Sequence, residues 1–158
     1  MKTAGALAAG WLAAVLSVSS APSALGQAGL PAMDKYEPRL ADIMSATQSR
    51  HIKLWFAAEA GNWDLAAYEL RQLKAGLMEA AALYPGIPVS GVTTMSAPVA
   101  AIAGAIDDRN VAKFRSAFAG LTSGCTACHR SVGLGFIVIR VPTTSPFTDQ
   151  VFLPPKKP

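Results

Sequence analysis

Cysteine and histidine are scarce in this chain: 158 residues hold two of each. Both cysteines lie in "GCTACHR", as Cys125 and Cys128, with His129 directly after the second; the other histidine is His51. Two thiols three positions apart in so poor a background exclude a disulfide-rich scaffold, which needs several pairs. Charge is sparse too, at 15% of residues, and its positive members are scattered, so no basic stripe argues for nucleic acid. Apart from His51, no acid/base constellation is visible of the kind an enzyme would place beside a reacting centre. No internal repeat and no linker divide the chain.

Long hydrophobic runs are missing except at the start. Lys2 precedes "AGALAAGWLAAVLSV", and small residues follow through "SSAPSALGQAG". That run is shorter than the ~20 apolar residues a spanning helix needs. Its three-part plan is that of a secretory signal over residues 1–28, cleaved after Ala28, where Gly26 and Ala28 give the small-x-small pattern. Loss of Lys2 leaves thirteen Lys+Arg against ten Asp+Glu, a mild excess compatible with an acidic protein partner. Residues 29–158 then form a single domain, exported to a periplasm and not integral to a membrane.

The mature chain is helical in period almost throughout. From Asp34 to about Ala60, the residues Leu40, Ile43, Met44, Thr47, His51, Leu54, Trp55 and Ala58 share one face. Gly61 stops this helix, and Asn62 caps a second that Pro85 and Gly86 end. "GIPVSGVTT" reads as a loop, with a third helix from about Ser96 and Pro98 in its first turn. Asp107 to Asn110 turn the chain into a fourth helix from Val111. The expected fold is all-α, an up-down-up-down four-helix bundle over about 34–132, with an extended tail at 133–158. Trp55, Trp63, Tyr68 and Phe118 are expected in the core, and Ala101, Ala103 and Gly104 offer room for a flat ring or for close helix packing.

On the fourth helix Val111, Phe114, Phe118, Thr122, Cys125 and His129 fall on one stripe, which turns His129 inward. Three chemistries compete for C-x-x-C-H. A thioredoxin-like redox pair belongs beside a βαβ pattern, which is absent. A structural zinc site takes four ligands, and only His51 remains to complete one. Covalent attachment of one haem c matches every element: two thiols form thioethers with the two vinyl groups, and the following imidazole ligates iron.

With "CTACH" closing the last helix of a bundle, the chain resembles the cytochrome c′ family and its low-spin class II relatives, in which the motif lies near the end of a fourth helix. Two further stretches, "HIKLWFAAEAGNWDLAAYEL" and "FIVIRVPTTSPF", look like those of a group of small exported c-type cytochromes. The tail departs from the cytochrome c′ pattern, which normally ends soon after the motif. The resemblance implies a haem inside the bundle with Cys125 and Cys128 as thioether residues and His129 as proximal ligand. It also implies a methionine of the first helix as the sixth ligand. Met44 is the candidate; His51 is the alternative, one stripe position roughly 10 Å deeper, since seven residues rise ~1.5 Å each. Left as packing, His51 would be satisfied by a neighbour such as Gln48.

Arg130 and Arg140 are candidate propionate partners. The apolar segment Phe136 to Val141 is expected to fold back as an extended flap, or to form a homodimer contact. The expected role is single-electron transfer with a periplasmic redox partner protein and no enzymatic activity. The alternative is a five-coordinate, gas-binding or sensing haem protein of the cytochrome c′ type.

Overall fold

The computed structural model describes residues 36–87 and 89–156. The expected leader at 1–28, the expected cleavage after Ala28 and the expected helix start at Asp34 lie outside them. Contacts divide the chain at Tyr36, and the elements below belong to the unit Glu37–Pro158. Four α-helices follow in order: α1 (Leu40–Glu59), α2 (Trp63–Leu83), α3 (Val89–Asp107) and α4 (Val111–Ser131), with no strand among the described residues. None of these helices is long and apolar enough to cross a membrane.

Helix ends follow local chemistry. Pro38 biases Glu37 away from helical backbone, so α1 begins at Leu40, with Arg39 forked onto Asp42 at 2.9 and 3.1 Å. The guanidinium holds the Asp42 carboxyl below its usual range. At the other end Gly61 adopts φ 72°, Asn62 N–H reaches the Ala57 carbonyl, and Gly61 N–H reaches that of Ala58. The Asn62 side chain then caps α2 by accepting from Leu65 N–H. The α3–α4 turn repeats this device with Arg109 at φ 49° and Asn110 as the cap of α4.

The third helix departs from expectation. It starts at Val89, not near Ser96, and Pro98 lies in its interior. Val92, Thr93 and Thr94 have low helix propensity and read locally as loop, but tertiary context overrides so weak a preference.

Sequence neighbours pack together, α1 on α2, α2 on α3 and α3 on α4. Gly76 brings α2 against α1, since a Cβ there would lie 2.5 Å from Thr47 Oγ1. Across α1 and α4, His51 meets Thr122, Trp55 meets Phe118 and Glu59 meets Arg115, numbers falling on one helix as they rise on the other. The solid core occupies the end nearer Gly61 and Asn110. There Leu54, Leu73, Ile102, Phe114, Phe118 and Leu121 are fully buried, with the Phe114 and Phe118 rings 5.5 Å apart and Trp55 against both. Tyr68 is an exception to the expected core: it is exposed, with Arg50 and Arg71 over its ring.

After α4 the chain turns at Gly133 (φ 79°) and runs back along the bundle as an extended strap. Val141 and Phe152 pack on the core, Phe152 sits 5.8 Å from Phe56, Lys53 lies over Phe147, and Asn62 donates to the Leu153 carbonyl. In the Phe136–Val141 segment the side chains alternate. Phe136 and Val138 are 80% and 63% exposed, while Ile137, at 40%, and the more buried Ile139 border the cavity described next.

Candidate functional site

The half of the bundle away from the solid core encloses an apolar cavity of about 510 Å³. This falls within the ~300–1,000 Å³ of small-molecule and cofactor sites. α1 contributes Met44, Gln48 and His51 to the wall; α2 and α3 contribute Leu73, Leu77 and Met95; α4 contributes Cys125, Cys128 and His129. Leu134, Ile137 and Ile139 of the strap complete it. The two cysteines and His129 on α4, and His51 on α1 at least 74 positions earlier, thus border one space.

His129 has a defined tautomer. Its Nδ1 lies 2.9 Å from the Ile137 carbonyl, and a carbonyl can only accept, so Nδ1 carries the proton. The neutral ring then keeps a lone pair on Nε2, with no hydrogen-bond partner for it among the described residues. That is the usual state of a metal-ligating imidazole, whose second nitrogen donates to a carbonyl or carboxylate.

His51 is arranged differently. It is buried beneath the cavity floor, its ring 4.4 Å from that of Phe118, with Nε2 2.9 Å from Thr122 Oγ1. Thr122, not Gln48, is its partner; Gln48 lines the cavity instead. Thr122 Oγ1 is also 2.8 Å from the Phe118 carbonyl, to which its single hydrogen goes, so His51 Nε2–H is the donor to Thr122. Burial pushes this imidazole down to about 4 and keeps it neutral.

Neither cysteine is in a disulfide. Burial, and then the neighbouring Cys128, push the Cys125 thiol up to about 11. A redox-active pair needs a lowered thiol, so the microenvironment argues against thiol–disulfide chemistry. Nor do three His, Cys, Asp or Glu side chains converge on one ion position among the described residues, which leaves the zinc alternative without a site.

Arg130 and Arg140 are both exposed and neither lines the cavity; Arg130 lies against Gly135. Ala101, Ala103 and Gly104 do not border it either. Ala101 and Gly104 are exposed, and Ala103 faces a second, smaller recess between α2 and α3, so they make no room for a ring. Two roles missed in the sequence matter here: that of Thr122, read only as a member of the inward stripe, and that of Thr126. Thr122 and Thr126, buried on the inner side of α4, hold His51 and the strap, the latter through both backbone groups of Ile139. Their signal was present as two threonines on an otherwise apolar helix face.

No family model matches the chain, and no match is found among curated proteins or solved structures.

Proposed function

We propose that the chain is an exported c-type cytochrome carrying one haem c, and that it transfers single electrons with a periplasmic partner protein. The observation that carries this reading is the shared cavity: both thiols of C-x-x-C-H open onto one apolar space, together with an imidazole whose Nδ1 is held by the Ile137 carbonyl, so that the neutral ring has its lone pair on Nε2. Cys125 and Cys128 would hold the group through thioethers, each S–H adding across a vinyl double bond, and His129 Nε2 would ligate its metal. Bound there, the iron supplies a one-electron couple.

The remaining residues have definable work. The apolar wall excludes water and favours the less charged, reduced state. Arg130 and Arg140, exposed and without an ion pair among the described residues, would suit propionate carboxylates. Met44 would be the second side chain to ligate the metal. Continued toward the open end, the register that pairs His51 with Thr122 and Trp55 with Phe118 brings Met44 opposite His129, as an up-down-up-down bundle would. His51 is held by Thr122 about two helical turns deeper.

The test is to express the full chain in a host that matures c-type cytochromes. Purified protein should stay coloured after extraction with acidified acetone, and its intact mass should exceed that of the processed polypeptide by one haem. Its spectrum should be low-spin and unchanged by carbon monoxide. A colourless product overturns the cytochrome reading; a high-spin spectrum that responds to the gas replaces electron transfer with gas binding. Mass spectrometry of the same product reads the cleavage expected after Ala28.

A further inference from the structure

We propose that the C-terminal strap is a working part of this site, with Thr126 as the positioning residue. Resting on the cytochrome reading above, the inference is that Thr126 pins the strap so that the Ile137 carbonyl fixes the tautomer and orientation of His129.

Backbone bonds from Leu134 N–H to the His129 carbonyl (2.8 Å) and from Ile137 N–H to the Leu134 carbonyl (2.9 Å) turn the chain after α4, and beyond that turn one further side chain of α4 besides His129 holds the strap. Thr126 Oγ1 accepts from Ile139 N–H at 3.0 Å, and of the two carbonyls within reach of its one hydrogen, Ile139 at 3.2 Å is nearer than Thr122 at 3.5 Å and takes it. One hydroxyl therefore occupies both backbone groups of a residue in a segment that has no sheet partner. Thr126 is buried and sits three residues before His129, so the two project from the same side of α4. They grip the strap two residues apart: Thr126 at Ile139 and His129 at Ile137.

Such tethering is needed because His129 is only half-buried. Water can compete for Nδ1–H, so a single solvent-accessible hydrogen bond is a weak constraint on the ring. An untethered strap would leave the imidazole proton free to sit on either nitrogen. With the proton on Nε2 the ring has no lone pair to offer into the cavity. A strap pinned at Ile139 places an acceptor at Nδ1 before any metal arrives. The same bond raises the basicity of Nε2, as second-shell acceptors do, which favours the oxidised metal and lowers the reduction potential. Strand-like alternation adds to this: a slip of one residue would turn Phe136 and Val138 into the cavity and move the Ile137 carbonyl away.

The experiment uses the full chain with ¹⁵N-labelled histidine, first without haem. Long-range ¹H–¹⁵N spectra give the tautomer of each ring, with His51 as an internal reference. The native chain and Thr126→Ser should show His129 protonated on Nδ1. Thr126→Val should show loss of that signature, with Nε2–H appearing and His51 unchanged. Ile139→Pro, which removes the N–H that Thr126 accepts while leaving α4 intact, should do the same, and circular dichroism checks that the helices persist. In the haem-loaded protein, Thr126→Val should raise the reduction potential and Thr126→Ser should restore it. Retention of the Nδ1 proton in folded Thr126→Val or Ile139→Pro overturns the inference. Failure to take up haem overturns the cytochrome reading but leaves the tautomer result separately readable.

Discussion

His51 Nε2 lies 2.9 Å from the hydroxyl of Thr122 across the α1–α4 seam, and that hydroxyl is itself spent on the Phe118 carbonyl. Nε2 is thus occupied as a donor and the lone pair lies on Nδ1, but His51 sits about two helical turns deeper than Met44, and moving the ring toward the level of His129 would break that buried bond at a cost of roughly 1–3 kcal/mol. Met44 has no such commitment: its thioether is only a weak acceptor. We therefore expect Met44→Ala to convert the haem-loaded protein from low-spin to high-spin and to open it to carbon monoxide. His51→Ala should leave the spectrum low-spin. The reverse pattern in optical spectra would make His51 the ligand.

The same burial has a pH consequence in the haem-free chain. Unfolded, His51 titrates near its ordinary value of about 6.5; folded, it is held down to about 4. Between these values the unfolded state binds the extra proton, so stability falls as pH falls through this window and levels off below it. At ~1.36 kcal/mol per pKa unit, the loss is on the order of 3 kcal/mol. Urea melts from pH 7.5 to 4 should show a decline that His51→Gln largely removes. Asp42, held below its usual range by Arg39, titrates lower and is common to both proteins.

The contrast between what was legible and what was not follows the range of the interaction. Gly61, Asn62, Pro85 and Asn110 marked helix ends correctly, because a left-handed turn or a side-chain cap is decided within a few residues. The inward stripe of Phe114, Phe118 and Thr122 was readable from its period. The start of α3 was not, since Val92, Thr93 and Thr94 disfavour helix locally. Nor could any pattern reveal that Thr122 answers His51, or that the Ile137 carbonyl answers His129. A backbone carbonyl looks the same at every position. An export leader, where expected, is read by the processing machinery and not by the fold, so no helix of the bundle bears on it.

Gly76 was unremarked in the sequence because its role depends on a helix 29 positions away. A Cβ there would lie 2.5 Å from Thr47 Oγ1, which donates to the Ile43 carbonyl at 2.8 Å. Gly76→Ala must either turn Thr47 off that bond or part the helices, for a cost of about 1–3 kcal/mol. Thr47→Ala removes the obstructing oxygen. The double variant should regain this loss and add some of the ~1 kcal/mol by which alanine exceeds glycine in a helix. A double-mutant cycle by urea denaturation should give coupling of at least about 1 kcal/mol. Additive effects would mean that the helices separate instead.

Glu69 is the one acidic side chain among the described residues that is nearly sealed from water, at 2% exposure, and Arg50 Nη1 donates to it at 3.2 Å. Arg50 is itself about one-third exposed, so the pair sits at a boundary: one charge desolvated, the other still hydrated. Arg50→Met leaves the carboxylate buried and unpaired, and should cost somewhat less than the roughly 3–5 kcal/mol seen when fully buried pairs are broken. Adding Glu69→Leu removes the stranded charge and should recover most of that loss, since an apolar residue suits the site at least as well. Lys113 and Asp108 provide the comparison. They are closer, at 2.6 Å, yet both are more than half exposed, and Lys113→Met should cost under ~1 kcal/mol. If unfolding curves give the two single substitutions equal effects, proximity rather than burial sets the strength of ion pairs in this bundle.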